Sequence, residues 1–143
     1  MAAANTVYGK DRKTGSAAAA GGTATFDFPV PTDRAIRIRV SVSMTAQTGG
    51  PAHLTVLSSL VAEYVVRNNN GTLVAPGAMV GSANPMNSGG SLASRVEVDE
   101  FAGAAPSTAN WTISGTNVRL TVTNNHLTQA ADITVSAEWE LTG

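Results

Sequence analysis

Histidine is the side chain most often recruited as a general base near neutral pH, and this chain holds two, His53 and His126. Each stands in or beside a turn-forming stretch, with no partner at the spacing of a metal site or a catalytic triad. Serines are plentiful, yet the G-x-S-x-G turn that exposes a nucleophile is absent. Glu97, Asp99 and Glu100 form the densest acidic cluster. Paired carboxylates can hydrolyse a glycoside or bind Ca²⁺, but Glu97 and Asp99 alternate along one strand, as a solvated polar face does. The glycines match neither G-x-G-x-x-G nor G-x-x-x-x-G-K-[ST], so no phosphate cradle is encoded. The expectation is a protein with no catalytic residues, no metal ligands and no cofactor, one that binds or builds.

The surface chemistry agrees. Only 13% of the 143 residues are charged, against about a quarter in ordinary domains. A net charge of −1 gives little repulsion to oppose self-association, so neighbours are expected to cover much of the surface. Arg34, Arg37 and Arg39 make the basic patch of the body, but without interleaved aromatics they suit a solvated strand face or a salt-bridged subunit interface better than nucleic acid. Neither a nucleic acid nor a membrane is an expected partner. No cysteine is present, which removes disulfides and thiolate metal sites. The opening stretch has no signal-peptide core, and no run of about 18 apolar residues occurs, so synthesis in the cytoplasm is expected.

The elements that must position any site are strands. Residues 1–22 are Ala- and Gly-rich around Lys10, Asp11, Arg12 and Lys13, and read as an extended N-terminal arm carrying a local charge of +2. Residues 23–143 read as one all-β body. Ala24, Phe26 and Phe28 share one face of a first strand, and Ile36, Ile38, Val40, Val42 and Met44 alternate with polar residues in the clearest one. His53 to Arg67 fits a helical face as well as a strand. Its β-branched valines and the Asn70-Gly71 hairpin signal at its exit favour the strand. Residues 76–93 form a long Gly/Ser/Asn/Pro loop in which Met79, Val80 and Met86 stand as adaptable apolar contacts. Three more alternating runs follow, near Asn110 to Ser114, Val118 to Thr123 and Asp132 to Leu141. About seven antiparallel strands joined by turns specify a sandwich or barrel. Trp111 and Trp139 take apolar phases of their strands and are expected in the core; exposed, they would suit a stand-alone carbohydrate-binding module.

The stretch Asn110-Trp-Thr-Ile-Ser-Gly-Thr-Asn-Val-Arg-Leu-Thr-Val-Thr-Asn124, followed by Ile133-Thr-Val-Ser-Ala-Glu-Trp-Glu-Leu141, resembles the closing strands of small all-β structural proteins of tailed bacteriophages. The resemblance covers about a quarter of the chain and implies a virion component made in the host cytoplasm. Its leading expectation is a capsid decoration, or cement, protein on the capsid exterior. Such a protein assembles as a homo-oligomer, a trimer, and clamps the major capsid protein. Lys10, Arg12 and Lys13 of the arm and Met79, Val80 and Met86 of the long loop are the expected contacts. The alternative is a tail or fibre module that binds a host-surface receptor or glycan.

Overall fold

The computed structural model describes residues 7–47, 58–75, 95–99 and 107–143. Within them the chain forms nine strands: β1 (Val7–Ala17), β2 (Gly22–Pro29), β3 (Ala35–Ala46), β4 (Ser58–Asn69), β5 (Thr72–Val74), β6 (Arg95–Asp99), β7 (Thr108–Ser114), β8 (Asn117–Asn124) and β9 (Ala131–Thr142). Every pairing is antiparallel. One sheet runs β1-β9-β3-β4-β5, with β6 also on β4; the other runs β2-β8-β7. The all-β fold in two antiparallel sheets is the one the alternating pattern predicts, and the stretch that fitted either helix or strand holds β4.

Alternation explains the layers. Along β3, Ile36, Ile38, Val40, Val42 and Met44 are at most 2% exposed, whereas Arg37, Arg39 and Ser41 are exposed. Ile133, Val135 and Ala137 of β9 continue that buried surface, and Val118, Leu120 and Val122 of β8 line the opposing sheet. Aromatic rings join the two layers. Phe28 of β2 meets Trp111 of β7 edge-on at 6.1 Å and tilts toward Trp139 of β9 at 6.2 Å, while Trp111 stacks on Tyr64 of β4 at 5.9 Å. Burial holds the Tyr64 phenol above its usual pKa. Trp111 is in the core as expected, and Trp139 is partly buried against it.

Turn chemistry closes the strands. Asn70 and Gly71 both take positive φ, 50° and 92°, the geometry of a tight hairpin turn between β4 and β5. Two buried asparagines fasten the longer connections. Asn68 donates from Nδ2 to the Val30 carbonyl at 2.7 Å and accepts from the Gly71 amide at 2.7 Å, tying the β2–β3 loop to that hairpin. Asn124 donates from Nδ2 to the carbonyls of Ala17, Ala18 and Gln129 and accepts from the His126 amide, tying the β1–β2 corner to the β8–β9 loop.

Part of the expected arm is described, and it lies on the sheet. Residues 7–17 are extended, but they pair with β9 from Val7 opposite Leu141 to Ala17 opposite Ala131, as an edge strand of the larger sheet. The sequence hid this strand because its core-facing positions are Gly9, Asp11, Lys13, Gly15 and Ala17, which carry no apolar alternation. An edge strand tolerates that pattern because the ladder to its neighbour supplies the order.

Candidate functional site

Strand geometry divides the basic cluster. Successive side chains of a strand point to opposite faces, so Lys10 and Arg12 take the outer face of the larger sheet and Lys13 the inner one. The Lys13 ammonium lies 5.2 Å from the centroid of the Phe28 ring and 3.4 Å from the Asp11 carboxylate. Beside it Arg119 grips Asp27 with two hydrogen bonds of 2.8 and 2.9 Å between β8 and β2. Those bonds hold the Asp27 carboxyl below its usual pKa against the opposing effect of burial, with smaller help from the charges of Arg119 and Lys13. Lys13 therefore closes the flank of the sandwich, and only two of the three cations expected for docking share a surface.

On that outer face, register assembles groups that lie far apart in sequence. Tyr8 of β1, Glu140 of β9 and Arg37 of β3 form one cross-strand row. Lys10, Glu138, Arg39 and Glu63 form the next, with alternating sign across β1, β9, β3 and β4. Arg12, Ser136 and Ser41 form the third. The first two rows line a shallow depression of about 520 Å³. Arg37 reaches diagonally to Glu63 at 3.4 Å. Lys10, Arg39, Glu138 and Glu140 make no ion pair or side-chain hydrogen bond among the described residues. Tyr8, at the rim, is 75% exposed. The face thus offers unengaged carboxylates and cations beside an open aromatic ring. Planar carboxylate and guanidinium groups can each hydrogen-bond two neighbouring hydroxyls at once, and an exposed ring stacks on the apolar face of a pyranose.

The remaining candidates fall elsewhere. Met79, Val80 and Met86 lie outside the described residues, as do His53 and Glu100. Glu97 and Asp99 fall on β6. His126 serves its loop, its Nδ1 accepting the amides of Thr128 at 3.3 Å and Gln129 at 3.1 Å. Among the described residues no three His, Cys, Asp or Glu side chains gather as a metal site, and no helix is long and apolar enough to cross a membrane. Sequence reasoning did read Arg37, Arg39, Glu138 and Glu140 as the polar phases of their strands. It missed Tyr8, placed in the arm, and the rows themselves, which exist only once β1, β9 and β3 are known to be neighbours.

No protein-family model matches the chain, and no curated protein does. Two solved structures are similar to it. One is tailspike protein gp49 from Acinetobacter baumannii bacteriophage Fri1, a capsular polysaccharide depolymerase, at 12% identity and a TM-score of 0.39, covering 94% of this chain and 18% of that one. The other is the Acinetobacter baumannii phage AM24 tailspike protein, at 17% identity and a TM-score of 0.42, covering 98% of this chain and 26% of that one. The chain thus spans about a fifth to a quarter of the length of these structures.

Proposed function

We propose that the chain is a non-catalytic module of a bacteriophage tail or fibre that binds a surface glycan on the outer face of its larger sheet. The observation that carries this reading is the depression bordered by exposed Tyr8, in which Lys10, Arg39, Glu138 and Glu140 stand unengaged with one another. Four charged groups on two adjacent rows, with no ion pair or side-chain hydrogen bond among them, leave their hydrogen-bonding capacity for a ligand rich in hydroxyls. The virion context rests on the closing strands, β7 to β9, whose sequence resembles phage structural proteins. The other reading of that resemblance, a capsid decoration protein that clamps through its basic arm, has less to support it, because residues 7–17 of the arm pair with β9.

Calorimetric titration of the purified chain with fragments of bacterial surface polysaccharide tests the reading. Binding is expected, with Tyr8→Ala or Glu138→Gln weakening it by about tenfold or more, the loss of one stacking or charged hydrogen-bonding contact. No binding by the folded chain to any fragment, or full binding by both variants, would overturn it. Release of new reducing ends during the titration would remove the non-catalytic part.

A further inference from the structure

We propose that β1 exchanges between copies of this chain, so that the groove along β9 is a docking site for β1 of a second copy. The groove is built for a strand that brings little of its own. Of the inward positions of β1, only Ala17 contributes a buried apolar side chain. Gly9 passes over the Trp139 ring so closely that an added Cβ would lie 2.5 Å from it. The attachment is therefore mostly the backbone ladder to β9, and an identical strand from another copy restores every bond of it. Leaving the groove empty would bare Trp139 and the inner flank beside Phe28, so the open form favours a replacement strand.

The hinge carries the second observation. The four residues Ala18 to Gly21 turn the chain from one sheet to the other, and Ala20 sits there at φ 57°, a conformation a side chain with a Cβ adopts only under strain. Straightening the connection releases that strain, and short strained hinges are where strand exchange arises. The charge pattern selects the occupant. Two β1 edges meeting side by side would oppose net positive strands, whereas β1 in the groove sets Lys10 opposite Glu138. Exchange would also make the outer-face rows composite, with Tyr8 and Lys10 supplied by the second copy.

The chain has no cysteine, so an introduced pair reads the exchange without interference. Thr14 and Thr134 are register partners on the outer face, and the Thr14→Cys, Thr134→Cys double variant joins β1 to whichever β9 it occupies. After oxidation and denaturing electrophoresis without reductant, exchanged chains run as covalent multimers whose cross-link maps to the introduced pair, while unexchanged chains run singly. Ala20→Pro in the same background is expected to raise the multimer fraction several-fold, because proline cannot take a positive φ and lacks the amide that Ala20 donates to the His126 carbonyl at 2.7 Å. Ala20→Gly should lower it. Light scattering on the unaltered chain gives an independent reading should the proline variant fail to fold. Multimers with internal cross-links, or a monomer at every attainable concentration, would overturn the proposal. None of these readouts involves a glycan, so its failure leaves the binding face untouched.

Discussion

Replacing Asn124 with alanine removes a buried side chain that joins the β1–β2 corner to the β8–β9 loop. Asn124 is 0% exposed. Its Nδ2 lies 2.8 Å from the Gln129 carbonyl, 3.2 Å from that of Ala18 and 3.4 Å from that of Ala17, and its Oδ1 accepts the His126 amide at 3.0 Å. An amide has two hydrogens, so the three carbonyls share two donated bonds, and the accepted bond makes three in all. At roughly 1 kcal/mol each, with an added penalty for carbonyls left without a donor, the loss is about 2–4 kcal/mol. Asn124→Asp sharpens the expectation. The shape and the bond from His126 remain, but a carboxylate then faces carbonyl oxygens, so at neutral pH this variant should be less stable than the alanine one. Its carboxyl would have a folded pKa raised above the unfolded value, and a group so shifted gains stability as pH falls through the folded value. The aspartate variant should therefore recover on acidification while the alanine variant does not. Equilibrium urea unfolding followed by tryptophan fluorescence measures both. An alanine variant within about 0.5 kcal/mol of the parent would refute the role given to this hub.

Gly9→Ala drives a Cβ against the Trp139 ring, and overpacking of this kind costs about 1–3 kcal/mol; Gly15→Ala, whose Cβ would stand 3.1 Å from the Phe26 ring, should cost less, and urea midpoints give the order. The Asp27 carboxyl is depressed by Arg119, so its stabilising contribution is present above the unfolded value of 3.8 and is lost as pH falls through the lower folded value. Asp27→Asn should remove that share of acid sensitivity, seen as a smaller drop in urea midpoint between pH 7 and pH 3 than the parent shows.

The strands that carry an apolar face were legible because period-two alternation states which side is buried. Ile36 to Met44 and Ile133 to Leu141 announced β3 and β9, and Asn70-Gly71 announced its hairpin by backbone preference. β1 was illegible for the converse reason: apart from Ala17 its inward residues are glycine and charge, and the β9 ladder makes it a strand. The same gap concealed the candidate site. Arg39 and Glu138 are 99 positions apart in sequence and meet only because β9 inserts between β1 and β3, an order that hydrophobic pattern does not specify. Asn124 was hidden likewise, since a buried asparagine at a strand end is indistinguishable in sequence from a turn residue.

The most direct test of the binding face is to follow backbone amide NMR shifts while a surface-polysaccharide fragment is added. The expected result is a set of titrating amides confined to Tyr8, Lys10, Arg39, Glu138 and their neighbours on β1, β3 and β9. Shifts confined to the β2-β8-β7 sheet, or none at saturating fragment, would contradict a glycan site on the larger sheet.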